Sequence, residues 1–240
     1  MPTSARKKPG RTGNRLLDRL PPADLKALAA EFEPLQLPAH HVLFQADDPL
    51  DHLYFPVNAV LSLIVSPTPP NGHGIEVASV GNEGVVGFTA LLGVPTSFHH
   101  TACQVPGDCL RLPVPFLAEA MARRPAIERL LMRYVAVAYR TVIQAAVCNA
   151  LHQAEQRVCR WLLVTHEKAA GEFPATHELL AAQLGVKRPT ISVIANSLLK
   201  NGLIAYHRGT VRIVDQARLE QCACDCFKIT KAVYERFIER

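Results

Sequence analysis

Residues 184–204 read LGVKRPTISVIANSLLKNGLI and set a proline, Pro189, inside an otherwise helical pattern, directly after Lys187 and Arg188. In a helix interior a proline costs about 3 kcal/mol. In the first turn its missing N–H has no intrahelical acceptor to lose, and its fixed φ suits the helix. Pro189 therefore marks a helix start, and Ile191, Ile194, Ala195, Leu198 and Leu199 follow as the buried side of that helix. Upstream, Thr176 stands where a helix cap belongs, and Leu179, Leu180, Ala182 and Leu184 give a first helix its apolar face. Gly185 ends that helix by taking the left-handed conformation. Two helices joined by a short glycine turn form a helix-turn-helix.

The cations decide what the unit is for. Lys187 and Arg188 sit at the positive end of the helix dipole, which is unfavourable by about 0.3–1 kcal/mol unless a polyanion approaches. The first residues of a recognition helix are those that reach bases and phosphates in the major groove of double-stranded DNA. The polar positions expected on the outer face are Arg188, Thr190, Ser192 and Asn196. Arginine can read guanine and asparagine adenine, while short hydroxyls mostly hold phosphate. Beyond Gly202, the apolar runs LIAY and VRIV flank His207-Arg208-Gly209-Thr210, a hairpin with a basic tip suited to the phosphate backbone. Helix, glycine turn, cationic helix start, second helix and basic wing, in that order, point to DNA binding.

Outward from this unit, the 240 residues suit one large or two ordinary domains, and 49% hydrophobic against 20% charged residues supports a packed core. Residues 1–20 hold Arg6, Lys7, Lys8, Arg11, Arg15 and Arg19 against Asp18, so most of the net charge of +5 lies there. This reads as a solvated basic tail. The basic start has no apolar stretch behind it and no run of 18 apolar residues occurs, so neither a signal peptide nor a spanning helix is expected. Seven cysteines without a secretory signal point to a reducing cytoplasm.

From 34 to 116, short apolar runs alternate with Pro, Gly, Asn and Asp, which predicts a compact antiparallel β domain. Within it, PTPPNGHG (67–74) reads as a hairpin loop with Asn71-Gly72 at its turn. Helical period then returns. Ile127, Leu131, Tyr134, Ala138, Thr141, Ala145 and Cys148 follow alternating steps of four and three, the pattern of a helix packed on a partner helix. Placed between two domains, it reads as a dimer seam.

On HHVLFQADDPLDHLYFPVNAVLSLIV and LGVKRPTISVIANSLLKNGLIAYHRGTVRIV, the chain resembles the CRP/FNR family of bacterial transcription regulators over 30–215. The resemblance implies an α+β chain: an N-terminal antiparallel β-roll of the cyclic-nucleotide-binding type (a jelly roll), a long dimerisation helix and a C-terminal winged helix-turn-helix. The implied division is a tail at 1–20, an effector domain at 21–120, the dimerisation helix at 121–150, the DNA-binding domain at 151–218 and a C-terminal helix at 219–240. It implies a homodimer on a palindromic site, with Arg188 inheriting the base contact and Lys187, Thr190, Ser192, Asn196, His207 and Arg208 beside it. Where the family often has Glu and a second Arg, this chain has Pro189 and Val193. Nucleotide-binding members carry a Glu for the ribose and an Arg-Ser pair for the phosphate. Here Val85-Val86-Gly87 and Phe98-His99-His100 occupy those places, so control by cyclic AMP is not expected. Glu83, Val85, Val86, His99 and His100 remain the expected lining of an effector pocket for an unknown small molecule. RNA polymerase is a further expected partner, no membrane is, and the cofactor is unknown.

LEQCACDCF (219–227) sets Cys222, Cys224 and Cys226 at a spacing that is not a ferredoxin one. On one continuous helix, Cys222 and Cys226 would share a core stripe with Leu219, Ile229 and Val233 while Cys224 points elsewhere. That reading assigns no metal, with Cys222, Cys224 and Cys226 as the candidates if redox or metal chemistry occurs. The adjacent pairs His40-His41 and His99-His100 face opposite sides of a strand and do not chelate one ion. The competing function is a ligand- or redox-sensing β-roll, or a cupin-like enzyme, in which DNA binding is secondary. Residues 34–116 show neither His-x-His nor a nucleophile elbow, so no enzyme is expected.

Overall fold

The computed structural model describes residues 11–66, 74–169 and 171–239. A short 3-10 turn and helix α1 (Pro22–Ala29) lead into strands β1 (Glu33–Leu37), β2 (Val42–Phe44), β3 (His52–Pro56), β4 (Val60–Val65), β5 (Ile75–Val80), β6 (His100–Val105) and β7 (Gly107–Pro113). They form two antiparallel sheets, β1–β7–β3 and β2–β6–β4–β5. Leu37, Phe44, Leu61, Leu63, Val80, Val86, Cys103 and Cys109 fill the space between the sheets. The expected β-roll is therefore a packed sandwich. Strands β4 and β5 pair from Leu61↔Val80 to Val65↔Ile75, and the turn expected at Asn71-Gly72 lies outside the described residues.

Helices α2 (Val114–Arg123) and α3 (Pro125–Leu151) each carry a proline in the first turn. There follow α4 (Ala154–Ala169), β8 (Phe173–Pro174), α5 (His177–Leu184), α6 (Arg188–Lys200), β9 (Ile204–His207), β10 (Thr210–Ile213), α7 (Gln216–Cys222) and α8 (Cys226–Tyr234). A small sheet, β8–β10–β9, closes the C-terminal unit. Its core is built on Trp161, Leu162, Phe173, Leu180, Ile191, Leu198 and Leu219. The long central helix and the C-terminal helix-turn-helix complete the mixed architecture expected from sequence.

The heptad read as a dimer seam is mostly the face of α3 that packs within the chain. Ile127, Leu131 and Tyr134 join Val137 in a core with Leu53, Phe55, Leu112 and Leu117. Ala145 and Cys148, further along, are also buried. A helix lying on its own domain shows the same three–four spacing as one lying on a partner, so period alone did not separate the two. The opposite face is apolar and bare: Ala136, Tyr139, Val142, Ile143, Ala146, Val147, Ala150 and Leu151 are all exposed. Residues 141–151 carry no charge. α3 is long and apolar enough to cross a membrane by length and composition only, a test that core helices also pass, and 28% of its most apolar window is buried within the chain.

Residues 11–20 are not the free basic arm expected. Leu16 and Leu17 are buried in the core beneath α3. Asn14, fully buried, donates to Pro56 O at 2.8 Å and Gly84 O at 2.9 Å and accepts from Leu17 N–H. Arg15 and Arg19 both pair with Glu239. The charge count of this segment hid two leucines and a buried amide that outweigh it. Arg6, Lys7 and Lys8 lie outside the described residues.

The C-terminal unit rests on the roll through a largely polar seam. Gln183 on α5 donates to Ser62, and Gln104 donates to Thr165 at 3.4 Å. Ser62 Oγ lies 2.6 Å from both Glu76 and Gln104. Lys168 pairs with Glu83 at 3.0 Å and donates to Ser79. Burial raises the Glu76 carboxyl above its ordinary range.

The loop at 81–87 presses on α3, and a Cβ on Gly84 would run into the Tyr134 ring. Gly84→Ala is expected to destabilise the chain by about 1–3 kcal/mol through overpacking, read as a lower urea midpoint at unchanged m-value.

Candidate nucleic-acid interface

Thr176 has extended backbone, and its hydroxyl accepts from Leu179 N–H at 3.1 Å, capping α5 as its position in the sequence suggested. Gly185, at φ 61°, ends α5, and α6 starts three residues later with Lys187 as its N-cap and Pro189 in the first turn. Ile191, Ile194, Ala195 and Leu198 are buried against the C-terminal core. No side chain caps α6 and its first turn holds no acid. The positive end of its dipole, with Lys187, Arg188 and Thr190 all exposed, therefore faces solvent.

Arg188 is 63% exposed and its Nε meets Glu178 of α5 at 2.5 Å. The Glu178 backbone amide and the Arg188 guanidinium hold this carboxylate below its ordinary range. An exposed pair of this kind contributes little, because solvent screens it, so Arg188 exchanges it readily for a stronger acceptor. Asn196 is exposed on the same outer side. Ser192 is half-buried on that side: its Oγ bonds His177 Nδ1 at 2.9 Å and donates to Arg188 O, tying α6 to α5. Val193 beside it is 70% exposed, a large apolar side chain in the middle of the outer face.

The hairpin β9–β10 turns at Arg208 and Gly209, whose φ values of 47° and 83° are the two positive values a tight type I′ turn needs. His207 and Arg208 stand exposed at its tip.

The residues expected to line an effector pocket do not share one environment. Val85 and Val86 are fully buried, in separate cores. The Glu83 carboxylate bonds the Gly81 amide and Lys168. His99 Nδ1 lies 2.9 Å from Thr101 Oγ1 with its ring on Phe44, and His100 Nδ1 meets Gln45 at 2.7 Å. Matching by position in the chain had placed these side chains in a shared cavity, whereas strand alternation and the Lys168 pair direct them elsewhere. An open groove of about 760 Å³ lies among α1, α2 and the start of α3, beside Asp24, Arg123, Arg124 and Arg129.

The cysteine run is not one helix. α7 ends at Cys222 and α8 begins at Cys226, with Ala223 extended between them. Cys222 lies against the C-terminal core, while Cys224 and Cys226 are buried beside Cys148. His152, which caps the end of α3, completes the group. Hydrogen bonding with Cys224 pulls the Cys148 thiol down from its ordinary range, with Arg160 adding to the effect. Sequence reasoning missed Cys148 and His152. The usable signal was CNALH at 148–152, which sets a cysteine and a histidine four apart on one helix face.

Residues 156–222 match the family model for the Crp-like helix-turn-helix domain. The chain is 21% identical over 189 residues to the global nitrogen regulator of Synechococcus elongatus, covering 75% of this chain and 84% of that protein. FixK2 from Bradyrhizobium japonicum shares the fold with a TM-score of 0.69 at 15% identity, over 80% of this chain and 98% of that one. TTHA1359, a CRP/FNR-family transcriptional regulator from Thermus thermophilus, does so with a TM-score of 0.58 at 22% identity, over 80% and 98%. The matched segment is thus a Crp-like helix-turn-helix domain, spanning α4 to α7. The rest of the chain is similar in fold to CRP/FNR-type structures.

Burial lowers the His99 imidazole from 6.5 to about 4. The unfolded chain then binds the proton first as pH falls, so folding stability is full above about pH 6.5 and declines toward pH 4. At pH 5 this histidine is expected to cost about 1–2 kcal/mol relative to pH 7. Urea melts at the two pH values should show the loss in the parent chain and a smaller one in His99→Gln.

Proposed function

We propose that the chain acts as a homodimer, reads a palindromic DNA site with α6, and is not controlled by cyclic AMP. The observation that carries the reading is the bare, uncapped start of α6 with Lys187 and Arg188 exposed on it. Arg188 is assigned a base edge, with guanine its best acceptor, and Lys187 a phosphate. Thr190 and the wing-tip residues His207 and Arg208 are assigned to the backbone, and Asn196 to a base or phosphate further along the groove. Val193 suits the methyl group of a thymine, the apolar feature of the major groove.

The bare face of α3 supports the dimer. Ala136, Tyr139, Ile143, Ala146 and Ala150 follow steps of three and four, flanked by Val142 and Val147, so a second copy of α3 laid alongside would bury an uncharged seam. Its alanines allow close backbone approach. Two recognition helices held by such a seam would meet half-sites about 34 Å apart, one turn of DNA. The reading against cyclic AMP rests on the apolar filling between the sheets and on Val85, Val86 and His99, which give a cyclic phosphate no guanidinium.

Selection of bound duplexes from a random pool should return a two-fold symmetric motif. Arg188→Ala is expected to cost about 1–3 kcal/mol at one base position per half-site, and Lys187→Ala to weaken all sequences evenly while lowering the salt slope by about one. An even loss across sequences for Arg188→Ala would remove it from base reading. Ile143→Glu is expected to weaken self-association by about 2–4 kcal/mol by placing a charge in the apolar seam. Sedimentation at micromolar concentration checks it, with an unchanged dichroism spectrum as the control for folding.

A further inference from the structure

Three thiols and one imidazole converge where the long helix ends. The ligating atoms of Cys148, His152, Cys224 and Cys226 all lie within 4.8 Å of one another. Cys148 Sγ is 3.5 Å from Cys224 Sγ, and Cys226 Sγ is 3.5 Å from His152 Nδ1. A tetrahedral ion with metal–sulfur bonds of about 2.3 Å and a metal–nitrogen bond of about 2.0 Å sets its ligand atoms roughly 3.5–3.8 Å apart. The four groups thus stand within about 1 Å of the spacing a single ion needs, and too close together to enclose a cluster of several irons.

Buried cysteines are often small apolar filler, but this group is not built as filler. The three sulfurs form a cluster separate from the three apolar cores. Gln144 Nε2 lies 3.1 Å from Cys226 Sγ, a donor placed to support a thiolate from outside the ligand set. Arg157 and Arg160, both within electrostatic reach of Cys148, keep buried Nε groups with no hydrogen-bond partner. Three thiolates, a neutral imidazole and a dication sum to one negative charge, which these guanidiniums would offset. His152 is only half-buried and leaves a way in.

We propose that Cys148, His152, Cys224 and Cys226 bind one thiolate-preferring divalent ion, Zn2+ by the chemistry of a tetrahedral sulfur and nitrogen set. The ion joins the last turn of α3 to the α7–α8 connection. It lies beside the joint at 152–153 between the long helix and α4, the first helix of the DNA-binding unit. The assignment is independent of how α6 reads DNA.

The test uses the full chain purified under reductant without chelator. Elemental analysis, or titration of metal-free protein with Zn2+, should give one ion per chain. Co2+ should give the visible bands of a tetrahedral ion together with thiolate-to-cobalt charge transfer. Cys148→Ser and Cys224→Ser should each weaken Zn2+ binding at least tenfold, while Cys222→Ser, outside the ligand set, should keep it. Should the variants fail to fold, the cobalt spectrum of the parent chain decides alone. The proposal is overturned by a reduced chain that takes up neither ion, by a cobalt spectrum without thiolate charge transfer, by undiminished binding in both ligand variants, or by a multi-iron cluster in the site.

Discussion

A single helix cannot bury two apolar faces against one domain, and α3 carries two. Its inner face, from Ile127 through Val137, is committed to the roll and to the N-terminal leucines Leu16 and Leu17. That commitment places every other part. It aligns the roll along the first half of the helix and leaves the second half for the C-terminal segment. Among the described residues, Val142, Ile143 and Val147 are then left substantially exposed. An exposed, uncharged stripe of this length is the kind of surface that marks an association site, and the proposed dimer uses it.

The same economy governs the DNA-binding unit. Its core holds α6 by one side only, so the residues around Arg188 can be polar or charged at little cost to folding. Glu178 is the only carboxylate paired with Arg188 among the described residues, and the pair is solvent-exposed. A partner that screens or competes with a carboxylate, as a phosphate or a base edge does, meets a guanidinium already extended from the surface. Ser192 shows the other use of a hydroxyl in this helix, since its bond to His177 fixes the angle between α5 and α6. The angle of a recognition helix is as much a part of reading DNA as its contacts.

Much of the architecture was legible because it rests on local rules. Pro189 in a first turn, Gly185 at a helix end, Thr176 as a cap and the alternating short strands are decided by neighbours in sequence. What was not legible required knowing which of two faces finds a partner. Ala145 and Cys148 look the same to periodicity whether they meet a second copy or the chain's own C-terminus. Leu16 and Leu17 were masked by six cations within the first 20 residues. Cys148 and His152 are more than 70 residues from Cys224 in sequence, and only the return of the chain past the end of α3 unites them. Val85 and Val86 were placed by position in the chain, and the sheets had already claimed them as filling.

The seam between roll and DNA-binding unit is made mainly of Ser62, Gln104, Thr165, Gln183, Lys168 and Glu83, with Val60 and Val105 supplying apolar contact. Each hydrogen bond there can be handed to water when the surfaces part, so each contributes only about 0.5–1.5 kcal/mol to holding them closed. A greasy junction of equal area would weld the two units. This one fixes the alignment of the two units through the directions of its hydrogen bonds, with only a small apolar patch at Val60 and Val105 behind them.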